Sequence, residues 1–309
     1  METRMIEQVA PPPLEGLELI AGAVDLHVHS YPELGLDVKA STDDLNVVRL
    51  AASYGLGGLV FKSISFPTTA SAYYIGRQIP GFNVYGSITL NAPVGGLSPL
   101  SVEIAARQGA KVVWFPHWSA ANDQEHGGFT AHTMFPMYPR SKGSPAIRIL
   151  DGAGKLDPAA LDILDIAKQY DMIVASGHVS PTETLALFKA AKEKGLHKLI
   201  FTHPLHGQIN ASIEAQKEAA RYGAVIEHVF LGCMPMHWRI KPDELVAAID
   251  AVGVDNIVIS SDAWRAYNPP GAELLRIAAL TLHAKQLKVK DIRKMMCDTP
   301  RRLVGLPPV

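Results

Sequence analysis

The sequence predicts an α/β chain folded as a (β/α)8 TIM-type barrel with a long loop after its fourth strand. Three observations carry that expectation. Eight short Val- and Ile-rich runs recur along the chain, continuous rather than alternating, as strands covered on both faces should be. Amphipathic helix-like segments follow them in strict alternation, and eight βα units are the number that closes a barrel. Metal-ligating residue types stand at the C-terminal ends of several runs, the end at which barrels place their chemistry.

Residues 1–20 read as an N-terminal tail stiffened by Pro11-Pro12-Pro13, and residues 21–309 as one barrel domain. The apolar runs are Ala23–Ser30, Gly58–Ser63, Asn83–Leu90, Lys111–Phe115, Met172–His178, Lys198–His203, Ala224–Phe230 and Asn256–Asp262. Helices are expected over Asp43–Tyr54, Thr69–Arg77, Leu100–Gln108, Pro158–Tyr170, Pro181–Lys194, Ile213–Tyr222, Pro242–Val252 and Ala272–Lys285. Start signals such as Asp157-Pro158 and Ser180-Pro181 with Glu183 precede them, and Gly55, Gly109, Gly195, Gly223 and Gly253 follow. A doubly wound open sheet would carry a glycine-rich phosphate turn after its first strand; a histidine pair stands there instead. From His117 to Leu156 the chain shows little periodicity and much Gly, Pro, His and aromatic content, the mark of a functional loop. In a barrel that loop leaves the catalytic face, over the mouth.

Composition narrows the function. The chain is 48% hydrophobic and 19% charged with a formal net charge of -1, so no global field attracts nucleic acid or an anionic membrane. Two cysteines far apart make no disulfide framework, and the acidic, proline-bearing N-terminus lacks the apolar run of a signal peptide. No stretch approaches the roughly 20 apolar residues of a membrane span. The expectation is a cytoplasmic protein acting on a small-molecule substrate, with no nucleic-acid or membrane partner and with homo-oligomerisation left open.

The first run ends Asp25-Leu26-His27-Val28-His29. Alternate strand residues share a face, so two imidazoles there can reach one ion. Other runs end in His178, His203 and Asp262, three further metal-type residues at one level. This set resembles the amidohydrolase superfamily of metal-dependent hydrolases, which shows His-x-His on strand one, His on strands five and six, and Asp on strand eight. The resemblance spans residues 20–309 and includes the ending Asp298-Thr299-Pro300-Arg301-Arg302-Leu303-Val304-Gly305-Leu306. Asp25–His29, Val60–Ser63 and Ala110–Trp114 look like an uncharacterised branch of that superfamily.

The resemblance implies that His27, His29 and His178 bind metal, and that Asp262 binds metal and acts as general base toward an activated water. It makes His203 a second-ion ligand or a group stabilising the transition state. The cofactor expected is a divalent cation, zinc first with manganese as the alternative, in one or two copies. Binuclear relatives bridge their ions with a carboxylated lysine or a glutamate on strand four, where this chain reads Trp114-Phe115-Pro116-His117. Lys62, ending strand two, is the substitute: a carboxylated bridge or a substrate-binding ammonium. His228, Trp118, Arg140 and Arg265 are expected substrate contacts, with His228 preferred over Glu227 as the inward residue of strand seven; His117 is expected to be structural or solvated. The reaction expected is cleavage of an amide, cyclic amide or lactone. A zinc-dependent non-oxidative decarboxylase of the same superfamily is the alternative.

Overall fold

The computed structural model describes residues 15–235 and 239–309. Its strands are β1 Val24–His29, β2 Gly58–Lys62, β3 Asn83–Thr89, β4 Ala110–Trp114, β5 Ile173–Ala175, β6 Leu199–Phe201, β7 Ala224–Val229 and β8 Ile257–Ser260. They form one sheet in sequence order, every pair parallel. The seam between β8 and β1 is closed by the Asp262 amide donating to the His27 carbonyl (2.8 Å) and the His29 amide to Ala263 (3.1 Å). The Ser261 amide donates there to Asp25 Oδ1 (3.0 Å). The expected (β/α)8 barrel is the observed fold.

Two apolar layers hold it. Val24, Leu26, Val60, Val112, Ile173, Ile200, Val225 and Val258 fill the barrel, and Leu303 and Val304 of the helix Thr299–Val304 close its N-terminal end. A larger layer packs the outer strand faces against the helices. With both faces buried the strands need no polar alternation, which explains their continuous apolar runs.

The helices begin where the sequence signals them. Asp43, Ser98, Asp157, Ser180 and Ser212 each cap a helix with a side-chain oxygen, a contact typically worth about 1 kcal/mol. Ser180 and Glu183 form a reciprocal capping box, and Glu183 Oε1 also accepts from the Ile149 amide (2.9 Å). That box fixes the chain two residues after His178.

The structure departs from expectation in three places. Leu17–Ile20 is a short helix with Leu19 and Ile20 buried, so the chain is docked before residue 21. Strands β5, β6 and β8 stop short of the expected ligands because the backbone there leaves extended geometry: φ is 64° at Gly177, 26° at His203 and 56° at Asp262. The segment after β4 is folded, carrying the helix Ala121–Glu125 and short helical turns between Thr130 and Gly143.

Candidate metal centre

The strand ends that carry the candidate donors are shaped by local irregularities. In β1 the register slips: Asp25 faces Leu59 and Val28 faces Phe61, so three steps along β1 match two along β2. This bulge lets Leu26 fill the barrel while His27, against Trp114 and Lys62, and His29, on the cavity, also turn inward. Gly177 makes the turn after β5, and a Cβ there would run into the carbonyl oxygens of Phe115 and Pro116. His178 is thereby pinned, its amide donating to the Pro116 carbonyl (2.8 Å). Gly177→Ala is expected to destabilise the protein by about 1 kcal/mol or more, read as a lowered thermal midpoint.

Two donor groups result. His27, His29 and Asp262 offer atoms within 4.8 Å of one another, as do His117, His178 and His203. In the first, His27 Nε2 and His29 Nε2 lie 3.1 and 3.0 Å from the same oxygen, Asp262 Oδ1. In the second, His178 Nε2 and His203 Nε2 face each other at 3.2 Å. Lys62 Nζ stands between the groups, 2.9 Å from His27 Nε2 and 3.1 Å from His117 Nδ1.

Carboxylates stand behind three of these imidazoles. Glu227 Oε2 lies 3.2 Å from His27 Nδ1, Glu33 Oε2 lies 3.0 Å from His29 Nδ1, and Asp123 Oδ2 lies 2.6 Å from His178 Nδ1. Each carboxylate fixes the tautomer that leaves Nε2 as a lone-pair donor toward the centre, the outer arrangement of metal-binding histidines. The donor set fits divalent cations on this ground and on another: His117 Nε2 is buried with no hydrogen-bond partner, a cost that a cation would relieve. Asp123 comes from the segment after β4, which is tied down further by Asn122 Nδ2 donating to the carbonyls of His178 (3.0 Å) and Gln208 (2.8 Å). The long loop therefore builds the site as well as covering it. Asp123→Ala should weaken metal binding roughly 10- to 100-fold, measured by competition with a chelator.

Electrostatics agree with that geometry at the second group; at the first, burial lowers the His27 imidazole but the carboxylates of Asp262 and Glu227 outweigh it and raise it. Burial, reinforced by nearby cationic groups, pushes His117 and His203 well below the ordinary imidazole range, so both are neutral donors. Burial alone would raise Asp262, but His27 and His29 outweigh it and hold the carboxyl well below its usual range. Burial pulls Lys62 down to about 8 against the pull of Asp262, Glu33 and Glu227, which brings a neutral, nucleophilic amine within reach near neutral pH.

The structure thus gathers His27, His29, Lys62, His178, His203 and Asp262 at one mouth. A cavity of about 270 Å³ opens onto it, lined also by Trp118 and Arg265. Two expected contacts are corrected. His228 lies outside the cavity, because it is Glu227 that follows Val225 on the inner face of β7. Burial with no compensating partner drives the His228 imidazole down to about 3. Arg140 is exposed on the turn Pro139–Gly143 and does not line the cavity.

His117, expected to be structural or solvated, is buried in the second donor group. A signal for it exists: Trp114, Ala175 and Ile200 pair in register across β4, β5 and β6, and each is followed three residues later by a histidine. Glu33 and Asp123 carried no such signal.

A family model described as "Family of unknown function (DUF6282)" matches residues 22–227. No curated protein matches the chain. Among solved structures it is similar to an amidohydrolase from Pseudomonas aeruginosa (TM-score 0.61, 12% identity, 93% of this chain and 97% of that one). It is also similar to a phosphotriesterase homology protein from Escherichia coli complexed with phosphate (TM-score 0.58, 12% identity, 92% and 99%). A third likeness is to 2,6-dihydroxybenzoate decarboxylase (TM-score 0.54, 13% identity, 93% and 100%). At these identities the likeness is one of fold.

Proposed function

Since this chain belongs to the DUF6282 family, a family of unknown function, we propose its reaction from the site itself: metal-dependent hydrolysis of an amide, cyclic amide or lactone in a small substrate. The observation that carries the proposal is the pair of donor groups flanking Lys62, three of whose histidines are backed by carboxylates.

His27, His29 and Asp262 would hold one cation, and His117, His178 and His203 a second, with Lys62 between them. The nitrogen-rich donors suit zinc, and manganese is the second choice. Bound there, divalent cations supply Lewis-acid polarisation of the scissile carbonyl and make water acidic enough to attack near neutral pH. Asp262 stays ionised beside the histidines, accepts the proton of the attacking water and passes it to the leaving group. Glu227, Glu33 and Asp123 hold the imidazoles in their donating tautomers throughout. His203 serves as a ligand of the second group. Trp118 and the β4 loop cover the mouth and exclude bulk water.

Lys62 is read as the bridge. A buried ammonium between two cation sites is repelled by both, whereas addition of carbon dioxide to its neutral amine, with loss of one proton to solvent, would give a carbamate that reverses the charge and presents two oxygens. We expect about two metals per chain by elemental analysis and an isotope-labelled bicarbonate signal that is lost in Lys62→Ala. One metal per chain and no such signal would move the reading to the decarboxylase alternative, which the arginines at the cavity already make the second choice.

A further inference from the structure

The cavity wall above the candidate metal donors carries a charge imbalance. Its acidic members, Glu33 and Asp262, are both engaged by histidines, and Glu33 also accepts from the Ile64 amide (2.6 Å) and from Ser63 Oγ (3.1 Å). Its arginines, Arg239 and Arg265, form no ion pair among the described residues. Arg265 is the more confined of the two. It is half-buried, its guanidinium lies 3.7 Å from the Trp264 ring centroid, and its Nε is buried without a hydrogen-bond partner.

The segment that carries Arg265 is held in place. Ser41 donates to the Trp264 carbonyl (3.2 Å), Ala266 to the Lys39 carbonyl (3.2 Å), and Ala40 bridges Arg265. The Trp264 indole also lies 5.7 Å from the His29 ring and 5.7 Å from the Phe129 ring. The fork is therefore stacked and pre-oriented one indole away from a metal-type donor, at the edge of a space walled by Trp118, Phe129, Trp264 and Tyr267.

We infer that the substrate is a small planar or aromatic molecule carrying a carboxylate, seated with that carboxylate on the Arg265 guanidinium and its apolar body against the aromatic wall. A guanidinium presents parallel N–H donors that match a carboxylate two-to-two, and stacking on an indole leaves that edge free. A partly desolvated guanidinium with no counter-ion costs free energy in the empty protein, and a planar anion paired with it offsets that cost on binding. A cavity near 270 Å³ suits a reacting group of small-molecule size. Because the carboxylate sits on Arg265 and not among the metal donors, it is a handle that orients the substrate, and the scissile carbonyl is a separate group.

This inference rests on the reading of the cavity as the substrate site. Benzoate, benzamide and phenyl phosphate serve as probes, with binding followed by calorimetry on metal-loaded and chelator-stripped protein. Benzoate should bind more tightly than benzamide. Arg265→Gln should weaken benzoate about 10- to 100-fold, the worth of a charged hydrogen-bonded pair. It should leave benzamide affinity, metal content and thermal midpoint unchanged. Arg265→Lys should recover only part of the loss, since an ammonium keeps the charge but not the fork. Benzoate affinity that is indifferent to Arg265, or an equal loss for benzamide, overturns the proposal. Phenyl phosphate binding more tightly than benzoate with the same Arg265 dependence overturns the carboxylate in favour of a phosphate. A wild-type protein that takes up no metal defeats the hydrolase reading alone, because the Arg265 dependence of benzoate binding in the stripped protein is a separate readout.

Discussion

Asp262→Asn is expected to retain metal and to lose about 10²-fold or more in kcat, the usual contribution of a general base. The variant preserves the shape that lets one oxygen meet His27 Nε2 and His29 Nε2. It removes the charge that His27 and His29 hold in its ionised form, and with it the capacity to take a proton from water. Two measurements on one sample decide the role: metal per chain, and turnover of a substrate found by screening lactones and amides. Loss of metal together with activity would make Asp262 a ligand and nothing more. Full metal with near-normal turnover would remove it from the mechanism.

His27→Ala and His178→Ala should each abolish turnover while the barrel stays folded, and they should do so by different routes. His27 belongs to the group with His29 and Asp262, and His178 to the group with His117 and His203. Each substitution therefore removes one donor from one group and leaves the other group's three donors complete. Metal content is expected to fall by about half in each variant and nearly to zero in the double variant, the count for two sites that hold one ion apiece. Far-ultraviolet circular dichroism should be unchanged, since neither imidazole belongs to the apolar layers that hold the strands. Complete metal loss in either single variant would show one site rather than two, and full occupancy in both would remove the proposed centre.

The extent to which the site is legible in sequence differs residue by residue. His27, His29, His178, His203 and Asp262 stand out because each closes an apolar run, and runs of a barrel end at one common level. His117 escapes a reader who looks for a carboxylate at the end of β4, although its spacing from Trp114 repeats that of His178 from Ala175 and His203 from Ile200. Asp123 and Glu33 could not be found by spacing. They follow no strand period, and only the folded loops carry them behind His178 and His29. Arg140 looked like a substrate contact by composition of its loop, yet its turn points it to solvent.

By itself, then, the sequence determined the alternation of strands and helices, the barrel class, the capped helix starts and the strand ends that carry metal-type residues. These are local properties: apolar runs, caps and glycines act within a few residues of where they are written. Tertiary structure alone decided which way side chains face. Ile226, Glu227, His228 and Val229 are all buried, so no polar alternation in β7 marks an inner face; its register against β8 sends Glu227 to His27 and His228 away. In β1 the slip between Asp25 and Val28 reverses the parity that simple alternation would assign from Leu26. Register is fixed by hydrogen bonds between strands distant in the chain, and where both faces of a strand are apolar, nothing in the strand's own residues encodes it.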